Sequence, residues 1–299
     1  GSQSVGMLGE LAVSHPSILD LFACASERVG YDIWQLVQHG PETRLNQTEH
    51  TQVAMLVADV AVYKLIQQQG SPAAMMAGHS LGEYAALVCA DAISLPDAAA
   101  LVQKRGQLMQ ETVPLGQGSM AAIVGLTDEE VQKLCMQAST ATLQVTPANY
   151  NAIGQVVIAG HTDAVEKAIK LADEMGARMA KTIPVSVPCH CLLLTEAARQ
   201  FADSLQSANF KVPTLPVISN VDLSIYQSVA QMRTLLCEQL YRPVRWVETI
   251  QAMKKKGIEQ IIECGPGKIL SGLIKRIDKS LHVINVNDPS SFEAAKTQL

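Results

Sequence analysis

The chain has 299 residues, 48% of them hydrophobic, which is enough to bury a large core in one big domain or in a big domain with an insertion. Its 28 acidic and 23 basic side chains leave a formal net charge of −5, which argues against nucleic acid as the main partner. No apolar stretch approaches the length of a membrane span and no signal peptide opens the chain, so we expect a cytoplasmic protein.

The first informative segment in chain order leads to a Gly-x-Ser-x-Gly sequence. Apolar residues at helical spacing predict a helix over 51–69, which the Gly70-Ser71-Pro72 run ends. The apolar run 73–77 predicts a buried strand, and the Ala- and Leu-rich segment 81–90 predicts a helix. Gly78-His79-Ser80-Leu81-Gly82 lies between them with the spacing of a nucleophile elbow, a sharp turn from strand to helix.

The elbow predicts an acyl-transfer enzyme whose nucleophile is Ser80. We expect a side chain at Gly78 or at Gly82 to collide with the neighbouring backbone of so tight a turn. The backbone N–H of Leu81, at the start of the helix, would face the oxyanion formed when Ser80 attacks a carbonyl. The alternative is a glycine-rich turn with a bystander serine, because the bare motif is common.

A separate pattern of strands and helices follows over residues 116–187. Strands are predicted at 120–126, 143–150, 155–159 and 178–185, and helices at 127–138 and 162–175. The order β-α-β-β-α-β is that of a ferredoxin-like unit. Because it lies between the elbow helices and a returning α/β pattern after Pro188, we predict a small inserted subdomain.

A serine nucleophile needs a general base, and seven histidines could supply it: His15, His39, His50, His79, His161, His190 and His282. His79 is adjacent to Ser80, but its side chain leaves the turn in another direction. His190 follows Pro184 and Pro188, which make a rigid approach to a cleft. The residues alone favour His190 without deciding the matter.

The cysteines offer neither a disulfide framework nor a metal site. There are seven of them, an odd number, and they form no Cys-x-x-Cys pair, which indicates reduced thiols. Cys189, His190 and Cys191 have the residue types of a zinc site, but neighbours on an extended chain point to opposite faces. We therefore expect no metal.

Spaced motifs along the whole chain carry a resemblance. They are Gly78-His79-Ser80-Leu81-Gly82-Glu83-Tyr84, Arg105-Gly106, Ser186-Val187-Pro188-Cys189-His190-Cys191 and Cys264-Gly265-Pro266-Gly267-Lys268. Together they resemble the malonyl-CoA:acyl carrier protein transacylase family of bacterial type II fatty acid synthesis. The resemblance implies an α/β-hydrolase-like catalytic domain over 1–115 and 188–299, with a ferredoxin-like insertion over 116–187.

The same resemblance implies a ping-pong malonyl transfer. Ser80 would attack the thioester of malonyl-CoA while His190 takes its proton, and the phosphopantetheine thiol of acyl carrier protein would resolve the malonyl-serine ester. The backbone carbonyl of Gln239 would orient the histidine, so no acidic triad member is needed, and Glu83 is interpreted as a structural residue of the elbow. No cofactor is implied beyond the CoA thioester and the carrier's phosphopantetheine, and we expect a monomer.

Arg105 has its own chemical rationale, because a planar guanidinium can hold the malonyl carboxylate with two parallel hydrogen bonds. The alternative for a lone arginine is a solvated position on the predicted helix 98–110, and the resemblance favours a selectivity role. Asn149, Asn151 and Gln155 match a polar loop that faces the cleft in the family, and they are candidates for substrate binding. An ordinary hairpin turn would suit them equally.

The beginning of the chain departs from the family pattern. Family members start with an apolar strand and a Gly-Gln-Gly-Ser-Gln run, whose first Gln donates a second oxyanion hydrogen bond. This sequence starts at Gly1-Ser2-Gln3, so the strand and that Gln are absent, which indicates a truncated N-terminus. If the molecule itself lacked them, only the Leu81 N–H would remain and activity would fall by about a hundredfold or more.

An acidic carrier protein would need a local basic patch on this acidic chain. Lys268, Lys275 and Arg276 are the first candidates for carrier docking, with the cluster 254–256 as a second, and solvated helix faces are the alternative for each. Three other functions stay open: a trans-acting malonyl transferase of a polyketide pathway, a serine thioesterase that uses water as acceptor, and a non-catalytic carrier-binding module. Arg105 is hard to explain in a thioesterase, and an intact Ser80/His190 pair speaks against the binding module.

Overall fold

The computed structural model describes residues 1–70, 72–185 and 187–298. Two residues of the sequence predictions, Ser71 at the predicted end of a helix and Ser186 in the motif before His190, lie outside the described residues. The described α-helices are α1 (Gly9–Ser14), α2 (Ser17–Val29), α3 (Ile33–His39), α4 (Glu42–Leu45), α5 (Thr48–Gln67), α6 (Leu81–Cys89), α7 (Leu95–Thr112), α8 (Asp128–Ala138), α9 (Thr162–Glu174), α10 (Thr195–Ser207), α11 (Val229–Glu238), α12 (Trp246–Lys255), α13 (Ile269–Ile277) and α14 (Pro289–Lys296). The strands are β1 (Gly118–Val124), β2 (Val145–Ala152), β3 (Gln155–His161), β4 (Met179–Thr182), β5 (Gln260–Cys264) and β6 (His282–Val286).

Three helices around the elbow form the part of this mixed α/β fold that positions the site. Helix α5 is buried along most of its length and packs against α6 and α7. Helix α7 begins three residues before the predicted 98, because Ser94 caps it by accepting from the Asp97 N–H at 3.2 Å. At Gly106 an added Cβ would lie 2.5 Å from the Glu49 Cα, so glycine is what lets α7 approach the start of α5.

The strand predicted at 73–77 is wrong in extent. Only Met76 pairs, in an isolated parallel bridge with Val217, where the Met76 N–H donates to the Pro216 carbonyl and the Ile218 N–H donates to the Met76 carbonyl. A short apolar run indicates burial but carries no information about how many of its residues find a pairing partner. Farther along the chain, β5 and β6 pair in parallel, from Gln260 opposite His282 to Cys264 opposite Val286.

The segment 116–187 contains the predicted order of strands and helices. Its four strands form one antiparallel sheet in the order β2-β3-β1-β4, with its own buried core beneath α8 and α9. Thr127 and Glu130 form the capping box that opens α8. The last strand is shorter than the predicted 178–185, because only Met179–Thr182 pair with β1 before the chain turns towards Pro184.

Two backbone hydrogen bonds join this small sheet to the rest of the protein. The Tyr150 N–H donates to the Val244 carbonyl at 2.9 Å, and the Val244 N–H donates to the Ala148 carbonyl at 2.9 Å. These bonds tie β2 to the segment that runs from Gln239 to α12. All seven cysteines are free thiols, as the sequence predicted. None of the helices in the described ranges is both long and apolar enough to cross a membrane.

Candidate active site

The elbow is a strained turn directly before α6. Ser80 has φ 53° and ψ −107°, which is unusual for a residue with a side chain and typical of functional sites. A Cβ at Gly78 would lie 1.9 Å from the backbone carbonyl of Gly82, so this glycine is required. The expected collision at Gly82 is wrong: apart from the backbone of its own helix, an added Cβ there meets no atom of the described residues within 4 Å, and it is the Gly82 backbone that crowds Gly78.

The side chain of Asn220, which is distant in sequence, holds the turn through two hydrogen bonds. Its Oδ1 accepts from the Ser80 N–H at 2.7 Å, and its Nδ2 donates to the Gly78 carbonyl at 2.7 Å. The side chain is fully buried, so both bonds are shielded from water. Sequence reasoning missed Asn220, whose only local signal is its place as the second of two polar residues, Ser219 and Asn220, after the apolar pair 217–218.

His190 lies between Ser80 and Gln239. Its Nε2 is 2.7 Å from Ser80 Oγ, and its Nδ1 is 2.7 Å from the Gln239 backbone carbonyl. Because a carbonyl can only accept, Nδ1 carries the proton and the bare Nε2 faces the serine hydroxyl. Burial, and after it the Arg105 charge, lowers the pKa of His190 to about 3, so the imidazole is neutral at physiological pH.

Arg105 is buried beside the same hydroxyl. Its side chain is 2% exposed, and its Nη2 lies 3.3 Å from Ser80 Oγ and 3.0 Å from Gln239 Oε1. Its Nη1 donates to Gln52 Oε1 at 2.7 Å, and Gln52 is held in turn by Thr48. Sequence reasoning missed Gln52, since nothing in the apolar pattern of α5 separates it from a solvated glutamine.

The Arg105 charge has no carboxylate partner in the described ranges of the chain, where every recorded ion pair involves other residues. Among the described residues its acceptors are two neutral amides and a hydroxyl, and its buried Nε has no partner there. An unpaired buried charge is costly, and a carboxylate within reach would relieve that cost. The site is therefore built to receive an anionic group next to Ser80.

Gln239 uses its side chain as well as its carbonyl. Its Nε2 donates to Glu83 Oε2 at 2.6 Å and to the Ser80 carbonyl at 3.0 Å. Glu83 also accepts from the Tyr226 hydroxyl and from the Asn220 N–H. Burial raises the pKa of Glu83 to about 7, and these hydrogen bonds together with the Arg105 charge act in the opposite direction. The resemblance had indicated only the carbonyl of Gln239.

The remaining predicted residues are divided between the site and the surface. Leu81 is the first residue of α6, where its N–H has no helical acceptor. Asn149 is buried on β2. Asn151 Oδ1 lies 2.7 Å from His79 Nε2, so His79 contacts Asn151 and packs near Trp246. Ser80 Oγ is bonded instead to His190.

Gln155 lies elsewhere, because its Oε1 accepts from Arg276 Nη1 at 2.7 Å on an exposed part of the fold. None of its recorded hydrogen bonds in the described ranges reaches Ser80, His190 or Arg105. Arg276 and Lys275 are exposed in the last turn of α13, and the exposed Lys268 precedes that helix. The structure thus brings Gln155 to the candidate docking residues.

Comparison with known proteins gives a consistent result. Residues 1–290 match the acyl transferase domain family. The malonyl CoA-acyl carrier protein transacylase of Escherichia coli K12 is 49% identical over 296 residues, covering 99% of this chain and 96% of that protein. The enzyme of the same name from Bacillus subtilis is 40% identical over 295 residues, covering 99% of this chain and 93% of that protein.

Solved structures agree in fold. The malonyl CoA-acyl carrier protein transacylase from Coxiella burnetii has a TM-score of 0.98 at 47% identity, covering 100% of this chain and 95% of that one. A malonyl-transacylase solved in complex with its type II PKS acyl-carrier protein also has a TM-score of 0.98, at 46% identity, covering 100% of this chain and 97% of that one.

Proposed function

Because the chain belongs to the malonyl-CoA:acyl carrier protein transacylase family of acyl transferases, we propose that it moves malonyl from malonyl-CoA to the phosphopantetheine thiol of acyl carrier protein in fatty acid biosynthesis. The observation that carries the proposal is the buried, carboxylate-free Arg105 guanidinium 3.3 Å from Ser80 Oγ. A malonyl thioester has a carboxylate one methylene away from its reacting carbonyl. Arg105 can therefore bind the anion while Ser80 meets the carbonyl carbon.

Acylation begins when Ser80 Oγ attacks the thioester carbonyl. The hydroxyl proton passes to His190 Nε2, 2.7 Å away, and the Gln239 carbonyl stabilises the imidazolium through Nδ1. The negative charge on the carbonyl oxygen is met by the Leu81 N–H at the start of α6. When the tetrahedral intermediate collapses, the C–S bond breaks, CoA leaves as a thiol with the His190 proton, and a malonyl-serine ester remains.

The second half of the cycle reverses these roles. The carrier's phosphopantetheine thiol gives its proton to His190 Nε2 and attacks the ester carbonyl, and the new C–S bond forms as the C–O bond to Ser80 breaks. His190 then returns the proton to Ser80 Oγ. Burial of the histidine keeps the imidazole neutral, with Nε2 unprotonated, at the start of each half-reaction.

The finer description of the fold belongs to the same proposal. We assign 1–115 and 188–299 to an α/β-hydrolase-like catalytic domain, supported by the elbow before α6 and the parallel pair β5 and β6. We assign 116–187 to a ferredoxin-like insertion, supported by the sheet order β2-β3-β1-β4. We further propose that the protein is a cytoplasmic monomer that needs no metal or cofactor of its own. Gel filtration would test the oligomeric state, and activity after chelator treatment would test the metal requirement.

Intact-mass analysis after mixing with malonyl-CoA tests the reaction class. We expect a mass increase of one malonyl group, located to Ser80 by peptide mapping and discharged when holo acyl carrier protein is added. A serine thioesterase would discharge the adduct to water without the carrier, and a carrier-binding module would form none. Replacing His190 with Ala should slow acylation by several orders of magnitude in a folded protein.

A polyketide carrier is the second candidate acceptor. The observation that favours it is the structural relative at 46% identity that was solved with a type II PKS acyl-carrier protein. Measuring discharge of malonyl-Ser80 by a fatty acid carrier and by a type II polyketide carrier, each at the same concentration, would rank the two. Faster discharge by the polyketide carrier would replace fatty acid synthesis as the assigned pathway.

A further inference from the structure

The Gln239 amide separates two buried ionisable side chains of the active site, Arg105 and Glu83. Its Oε1 accepts from Arg105 Nη2 at 3.0 Å, and its Nε2 donates to Glu83 Oε2 at 2.6 Å. Arg105, Glu83 and Gln239 are 2%, 0% and 1% exposed. Over the described ranges, no direct ion pair joins Arg105 to Glu83.

The neighbours of the amide allow only one orientation. The Ser80 carbonyl can only accept, and Glu83 Oε2 already accepts from the Asn220 N–H; both face the nitrogen of the Gln239 amide. Arg105 can only donate, and it faces the oxygen. If the amide were flipped, its oxygen would face the two acceptors, Glu83 and the Ser80 carbonyl, and its nitrogen would face the Arg105 donors. The guanidinium therefore always meets the neutral amide oxygen.

Without the amide, the arrangement has a competing state. Direct contact with the guanidinium would favour the carboxylate form of Glu83, and a carboxylate suits the guanidinium fork better than an amide does. A direct pair of Arg105 with Glu83 would occupy guanidinium N–H groups and so compete with the substrate carboxylate for Arg105. An active site that selects malonyl therefore needs something that keeps its arginine unpaired.

We propose that the Gln239 side chain is a specificity-determining spacer that keeps Arg105 off Glu83 and leaves the guanidinium free for the malonyl carboxylate. The inference rests on the proposed function and deepens it. It is separate from the contact between the Gln239 backbone carbonyl and His190, which any residue at this position can supply. Gln239 acts on selectivity by positioning Arg105.

The test is the ratio of malonyl to acetyl acylation rates in single turnovers, followed by intact mass with malonyl-CoA and with acetyl-CoA. In Gln239→Ala the backbone carbonyl remains but the spacer is gone, so Arg105 can pair with Glu83. We expect the ratio to fall by about tenfold or more, because the malonyl carboxylate loses its charge-assisted partner. Gln239→Met, which keeps the side-chain length without its polar atoms, is measured beside it and should show the same fall.

The decisive variant is the double substitution Gln239→Ala with Glu83→Gln. Removing the Glu83 charge leaves Arg105 no carboxylate to pair with, so the ratio should return to within about threefold of wild type. A purely structural role for Gln239 predicts the opposite, since a second change in the same network adds damage. Thermal unfolding checks each protein, and Gln239→Met with Glu83→Gln replaces the double variant if that one does not fold.

Gln200→Ala is the matched control. Gln200 also donates from its Nε2 to a glutamate, Glu196, but on the exposed face of α10, and its loss should leave the ratio unchanged. An unchanged ratio in both single Gln239 variants overturns the inference. A fall that Glu83→Gln does not reverse overturns it as well. Failure of the proposed function would look different, because wild-type Ser80 would then take up no malonyl at all.

Discussion

Replacing Arg105 with Met removes the charge and its hydrogen bonds while filling most of the same space. The lost contact with the malonyl carboxylate is a charge-assisted, bidentate one in a shielded site, which is worth about 2–5 kcal/mol. At about 1.4 kcal/mol for each factor of ten, malonyl acylation should slow by roughly 30-fold to several thousandfold. Acetyl has no carboxylate, and among the described residues the one reacting atom that Arg105 contacts is Ser80 Oγ, through the long 3.3 Å bond from Nη2. The acetyl rate should therefore change by less than about tenfold.

The assay is single-turnover acylation of Ser80 by each donor, followed by intact mass. Arg199→Met serves as the control, because Arg199 is an exposed arginine paired with Glu196 on α10. Its replacement should change the acylation rate of neither donor. Equal losses for malonyl and acetyl would refute the reasoning, since they would make Arg105 a structural residue rather than a selectivity residue.

The same substitution should alter the pH dependence of acylation. After burial, the Arg105 charge is the largest cause of the low pKa of His190, about 3, so its removal raises that pKa towards the ordinary 6.5. A base works in its neutral form, so the rate falls as pH drops through the pKa. The acetyl rate should therefore decline at a higher pH in Arg105→Met than in wild type. Profiles that superimpose from about pH 3 to about pH 8 would contradict the electrostatic coupling.

Three further predictions concern the nucleophile, the elbow and the docking surface. Ser80→Ala should abolish the malonyl adduct with little change in unfolding temperature, and a persisting adduct would reject Ser80 as the nucleophile. Gly78→Ala should lower the free energy of unfolding by about 3 kcal/mol or more in urea titration, whereas the matched Gly82→Ala should leave it unchanged or raise it by up to about 1 kcal/mol. Equal losses at the two glycines would show that the crowding at Gly78 is not decisive. Replacing both Lys275 and Arg276 with Glu reverses their charge, which should raise the Michaelis constant for the carrier and weaken the dependence of that constant on salt. Acylation by malonyl-CoA should stay normal. A wild-type response to the carrier would place docking elsewhere.

Local features of the site could be predicted from the sequence, because they depend on residues close in the chain. The elbow at Ser80, the capping box at Thr127 and the helix that carries Arg105 all follow from spacing over a few residues. The strand at 73–77 was overestimated for the same reason, since pairing depends on segments more than a hundred residues away.

The side chains that complete the site were beyond local reasoning. Asn220 contacts Ser80 across 140 positions, and Gln239 contacts the Ser80 carbonyl across 159. Gln52 meets Arg105 only because Gly106 allows two helices to approach closely. Periodicity and propensity describe elements one at a time, so they cannot indicate which amide of one element will face which charge of another.

The two backbone hydrogen bonds between β2 and Val244 resist movement of the small sheet away from the helices. A hinge motion of the small sheet away from the helices would have to break both bonds, at a cost of about 1–3 kcal/mol in total. It would also pull on the chain leading back to Gln239, whose carbonyl orients His190. Movement of the small sheet is therefore coupled to the carbonyl that holds His190 beside Ser80.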